Sequence, residues 1–238
     1  MRAARLLAAI VVVAVLASGC AAGEPDPRPL TTEEAEILAI ARFNNFDAGI
    51  RGIELQVPGS DGIRLDGWVD FADHVGYGSA SDVNDGAPLG LVRWNLQTVG
   101  VREGEVPASL LPPPTDSWVT GPLDTSSIIN TALAVVLSLG ADRPDNPQLL
   151  QQTDARWLRT DEVAGVPVTV FAGPSADEVA TAAPTRGAEL TRFWVDENGI
   201  LLRFEARSDP ASEDWVVVDF ADADIDDLGG VPDVDPAA

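Results

Sequence analysis

The chain reads as an α+β fold, a single large antiparallel sheet with helices packed on one face. Three observations predict it. Alternating apolar and polar residues recur over two stretches, about 50–102 and 156–220, with tight-turn pairs such as Asp85-Gly86 and Asn198-Gly199 between runs, and strands joined by such turns pair antiparallel. Between these stretches, residues 126–139 are apolar nearly all round, and a helix of that kind has to be buried. The sheet's dry face is the place that can bury it.

The first 19 residues are targeting sequence and not fold. Arg2 and Arg5 precede an unbroken apolar run over 6–16, followed by Ala17-Ser18-Gly19, the layout of an export signal with a small-residue cleavage site. Residues 20–30 are a Pro-rich polar tether. The domain then runs over 31–220, and an acidic tail over 221–238 is expected to be frayed.

Within the domain, Thr31 and Glu34 have capping-box spacing and Leu30 is placed to staple onto Ala35, which predicts a helix over 32–47. Ile53, Leu55 and Val57, then Ile63, Leu65, Val69 and Phe71, alternate with polar residues around Pro58-Gly59-Ser60-Asp61-Gly62 and predict a hairpin with one wet face. Strands are expected over 75–83 and 89–102, then a Pro-rich loop over 104–124. The apolar helix over 126–139 has Asp124, Thr125 and Ser126 as cap candidates and Gly140 as its stop. A short helix over 147–153 would start on an Asn146 cap with Pro147 at its first position. Strands at 156–160, 166–171, 190–195, 200–207 and 215–220 complete the order.

Cys20 is the only cysteine. With its predecessors Leu16-Ala17-Ser18-Gly19 it resembles the lipobox of bacterial lipoproteins, with Ala17 where a leucine is usual. The resemblance implies that the Cys20 sulfur takes a diacylglyceryl group, with acyl chains such as palmitate, and begins the mature chain. Each buried methylene is worth about 0.8 kcal/mol, so two chains anchor stably where one is marginal. The expected location is therefore the outer, extracytoplasmic face of the cell membrane. Two other readings fit less well: the apolar run is shorter than the roughly 20 residues that span a bilayer, and plain secretion would leave an unpaired thiol in an oxidising compartment.

Segments 64–80 (RLDGWVDFADHVGYGSA), 142–159, 193–207 (FWVDENGILLRFEAR) and 215–220 (WVVVDF), set in this element order, resemble the LppX/LprAFG family of actinobacterial envelope lipoproteins, related in fold to the carrier LolA. That resemblance implies a half-barrel whose concave side holds helices over a cavity for acyl chains.

The net charge of −23 excludes electrostatic binding of nucleic acid. The single histidine, His74, has no activated-serine motif to serve. Asp222, Asp224 and Asp226 start like a calcium loop, but Asp227 stands where glycine and Asp233 where glutamate is required. No enzyme, cofactor or metal site is expected. The expected function is binding of a lipid or acyl ligand, with Val69, Phe71, Leu91, Leu133, Val136, Leu137 and Phe204 lining an apolar pocket, and with it a carrier role across the envelope. The alternative is a structural or interaction lipoprotein with a filled core that docks a protein partner on its acidic surface.

Overall fold

A computed structural model describes residues 25–175, 187, 189–207, 211–225 and 227–228. Residues 1–19, expected as an export signal, and Cys20, Asp226 and Asp233 lie outside the described residues.

A two-residue strand, β1 (Arg28–Pro29), leads into helix α1 (Thr32–Ala48). The predicted capping box is present: the Glu34 amide donates to Thr31 Oγ1 at 3.2 Å and the Thr31 amide to the Glu34 carboxylate at 2.9 Å. Arg28 grips the same carboxylate with two bonds of 2.7 Å, which ties β1 to α1 and holds the Glu34 carboxyl below its usual range. Leu30 and Ala35 are buried in one core, as a staple requires.

Strands β2 (Ile50–Val57) and β3 (Ile63–Asp70) form the expected hairpin, with Leu55 opposite Leu65, and β4 (Val75–Asp82) follows. The single strand expected over 89–102 is two, β5 (Pro88–Trp94) and β6 (Thr98–Glu103). Asn95 breaks it: its Oδ1 accepts from the Gln97 and Thr98 amides at 2.9 Å and from the Thr98 hydroxyl at 3.0 Å, an Asx turn that reverses the chain. The loop expected over 104–124 contains a short strand, β7 (Val119–Pro122), paired with β6.

Helix α2 (Ile128–Ser138) is shorter at both ends than its apolar run; Ser127 is its N-cap, and Asp124 instead accepts from the Ser126 amide at 3.0 Å. Gly140 is needed for space and not for a left-handed turn, since a Cβ there would sit 2.6 Å from the Phe71 ring. Helix α3 (Pro147–Leu150) is a single turn on the Asn146 cap. Strands β8 (Arg156–Val163) and β9 (Val166–Ala172) outrun the expectation because Ala164 and Gly165, with φ of 50° and 84°, close a two-residue turn. Strands β10 (Thr191–Val195) and β11 (Leu201–Ala206) flank the Asn198-Gly199 turn, and β12 (Val216–Asp222) ends the sheet-forming sequence.

All twelve strands form one antiparallel sheet in the order β1-β8-β9-β10-β11-β12-β2-β3-β4-β5-β6-β7. The last strand, β12, seats between β11 and β2 and joins the two halves of an open half-barrel. Its inner face carries rows such as Phe204, Val218, Leu55 and Leu65, while the next row, Arg203, Asp219, Glu54 and Asp66, faces outward. Period-2 alternation thus gives the sheet one dry face, and the helices cover it.

Helix α2 is fastened at its C-terminal end to α1. Asn45 Nδ2 donates to the Leu139 carbonyl at 3.0 Å, Arg42 Nε donates to the Ser138 carbonyl at 3.0 Å, and the buried Arg51 reaches Asn45 Oδ1 at 3.0 Å and the Ala221 carbonyl at 3.2 Å. Burial pushes the Arg51 guanidinium below its usual range. Trp94 adds a tie from the sheet: its Nε1 donates to the Leu133 carbonyl at 3.2 Å, and Gly76 lies beneath the indole where a Cβ would come within 2.1 Å of it.

Candidate functional site

The N-terminal half of α2 is held differently. Thr131 Oγ1 bonds the Thr125 and Ser127 carbonyls, both at 2.9 Å, and Asn130 Nδ2 bonds the Asp124 carbonyl at 3.1 Å. All three bonds are local to the helix start. Beneath these turns lies a partly open apolar cavity of about 470 Å³, within the size range of small-molecule sites. Helix α2 contributes Ile128, Thr131, Ala132 and Val135, and strands β11 and β12 contribute Phe204, Ala206, Val216 and Val218. Pro58, Leu190, Thr191, Arg207 and Asp214 surround its mouth.

The hollow exists because small side chains face one another. Ala132 on the helix looks toward Ala206, Val216 and Val218 on the strands, and none is long enough to close the gap. On the neighbouring face of the helix, Leu133, Val136 and Leu137 meet Phe71, Val69 and Trp94, all essentially excluded from solvent. There the space is full.

The pocket residues read from the sequence divide accordingly. Phe204 lines the cavity. Val69, Phe71, Leu133, Val136 and Leu137 do not; they belong to the close-packed core beside it. Leu91 lies on the other side of the sheet, in the outward row with Ser79 and Asp66. The 104–118 segment covers that outer region: Tyr77 Oη donates to the Leu110 carbonyl at 2.8 Å, and Trp118 packs edge-on against Tyr77 and lies 4.6 Å from the Arg93 guanidinium. Both faces of β5 are therefore buried, and its apolar pattern carries no phase. Among the cavity residues the sequence reading left out, Ile128, Val135, Ala206, Val216 and Val218 had a signal in the 204/206 and 216/218 alternation and in the helix face opposite Leu133. Of the two alanines in the helix, Ala132 lines the cavity and Ala134 does not.

At the mouth, Arg207 is tied to three backbone carbonyls: Nε to Glu189 at 3.0 Å, Nη1 to Ser212 at 2.8 Å, and Nη2 to Gly187. Its guanidinium lies 4.4 Å from the Trp215 ring, and that of Arg192 lies 4.0 Å from the same ring. Arg192 also pairs with Glu205 at 3.4 Å, and burial pushes the Glu205 carboxyl up. Among the described residues, Asp214 is the only acid in the lining, and no histidine or cysteine lines the cavity. His74 sits between β3 and β4 at φ 52°, at the end of the sheet remote from the mouth. Among the described residues, no three His, Cys, Asp or Glu side chains come together to hold a metal ion, and no helix is long and apolar enough to cross a membrane.

No family model and no curated protein matches this chain. Among solved structures it is similar to a LolA superfamily protein from Nitrosomonas europaea, with 12% identity over 81% of this chain and 92% of that one, at a TM-score of 0.30. A likeness that distant carries no argument about function, and the half-barrel stands on the strand pairing above.

Proposed function

We propose that this protein is a lipoprotein, anchored through lipidated Cys20 to the outer face of the cell membrane, that binds an amphiphile by its acyl chain in the cavity under α2. One observation carries the reading: a 470 Å³ hollow lined mainly by aliphatic side chains and Phe204, with Arg207, Ser212 and Asp214 also in its lining. Such a site removes a hydrocarbon tail from water, at roughly 25 cal/mol per Å² buried, and leaves a headgroup at the mouth. The reading is non-enzymatic, since the Thr131 hydroxyl and the Arg207 donors are committed to backbone carbonyls and, among the described residues, no base stands beside a nucleophile in the lining.

The test uses the mature chain with Cys20→Ser, purified without detergent, extracted for mass spectrometry and titrated with a fluorescent fatty acid. Co-purified lipid or saturable probe binding is expected. The absence of both co-purified lipid and a fluorescence change would reject the proposal and favour the filled-core interaction lipoprotein, a reading for which the packed face of α2 speaks.

A further inference from the structure

We infer that Phe204 is the floor of the cavity and sets the length of hydrocarbon it accepts, so that a short acyl chain is buried whole and a long one is held by its methyl end alone. The inference rests on the acyl-binding reading above and deepens it. Its basis is how far the lining runs into the fold. On β11 and β12 the lining takes in two inward pairs, Ala206 opposite Val216 at the strand ends and Phe204 opposite Val218 two residues farther in. Beyond them along the same strands, Leu201 and Phe220 belong to the close-packed core, and so does Leu55 beside Val218. A step of two residues, about 7 Å of strand, therefore separates the outer pair from the floor. The helix side gives a similar measure, since its lining residues run from Ile128 to Val135, a step of seven residues and about 10 Å of rise.

The floor is backed. Phe204 is 3% exposed, and its ring meets that of Phe193 edge-on with centroids 4.9 Å apart. Phe193 in turn lies against Gly173, where a Cβ would come within 2.7 Å of the ring. A tail that reaches Phe204 thus meets one ring held by another, and an interior so packed resists the entry of further methylenes. Down to that depth each buried methylene strengthens binding about fourfold. Each one beyond it stays in water at the mouth and adds nothing.

The test titrates the mature Cys20→Ser chain calorimetrically with straight-chain fatty acids from hexanoate to palmitate. Affinity is expected to climb about fourfold per methylene among the shorter members and to level off before palmitate. Phe204→Ala should carry the climb to longer tails. Phe204→Leu, which keeps an apolar side chain in the core and stands in should the alanine variant not fold, should carry it part of the way. A climb that continues through palmitate in the unsubstituted cavity, or levelling at the same length in the folded variants, would overturn the inference. Failure of the whole series to bind strikes the binding proposal, whereas binding with a levelling that Phe204 does not move strikes only the length limit.

Discussion

The two faces of α2 meet the same sheet and end in opposite packing. One face presents Leu133, Val136 and Leu137 to Phe71, Val69 and Trp94, and hydrogen bonds from Asn45, Arg42 and Trp94 hold the backbone toward the C-terminal end. The other face presents Ile128, Thr131, Ala132 and Val135 to Ala206, Val216 and Val218, and the polar bonds at the helix start stay within its own first turns. What differs is side-chain size across the gap, and that decides whether an apolar interface becomes core or cavity. The fastened end fixes the helix, and a helix so fixed can stand away from the sheet at its other end.

The largest effect is expected where the space is full. Phe71→Ala should cost about 3–5 kcal/mol in denaturant unfolding, because a buried ring is lost and its neighbours are pinned. Val135→Ala, at the cavity, should cost below about 1 kcal/mol, since little packing is removed. Equal losses at the two sites would erase the contrast between the packed face and the cavity face.

Next in size is the effect of filling the hollow. Val135→Trp should weaken fatty-acid binding at least tenfold, about 1.4 kcal/mol, with the unfolding midpoint nearly unchanged. Unaltered binding would place the ligand elsewhere.

How much of this was legible in the sequence follows from the same contrast. Local signals did well: Thr31 and Glu34 announced α1, Asn146 and Pro147 announced α3, and Asn198-Gly199 announced its hairpin, because each rests on hydrogen bonds or turn geometry between near neighbours. Period-2 alternation fixed the inner rows through Leu55, Leu65 and Val218. The cavity was half legible. That the apolar helix adjoins a pocket could be inferred, but which of its residues face it depends on what stands opposite, a long-range fact. Leu91 and Phe71 were misplaced for that reason. Leu91 is buried in the outward row of the sheet, which no spacing announces, and Phe71 is large enough to fill the gap it was expected to line. The broken 89–102 strand was readable in principle, since Asn95 followed by polar Gln97 and Thr98 is an Asx-turn sequence.

The wall of the hollow and the packed face should also differ in pH response. Glu205 lies on the outer face of β11 between the cavity-lining Phe204 and Ala206, and burial raises its carboxyl above the ordinary 4.5. A raised folded value means the native state holds the proton more tightly than the unfolded chain. The group therefore contributes stability that is fully present below about pH 4.5 and lost as pH rises through its folded value. Glu205→Gln should flatten the unfolding-midpoint profile over that window. A variant profile parallel to the native one would show that Glu205 titrates normally.

The smallest effect is expected on the outer surface of that wall. Arg203 and Asp219 form a two-armed pair at 2.6 and 2.9 Å, but both are about one-third exposed. Asp219→Asn should cost below about 1 kcal/mol and leave fatty-acid binding intact. A marked loss of binding would mean that the outer charge row sets the cavity's shape.

The most direct measurement is a methyl-resolved NMR titration of the Cys20→Ser chain with a saturated fatty acid. The account predicts saturable shifts and ligand contacts at the methyls of Ile128, Val135, Val216 and Val218, with Val136 and Leu137 unmoved. Contacts confined to the outer face, or no shifts at all at saturating ligand, would contradict it.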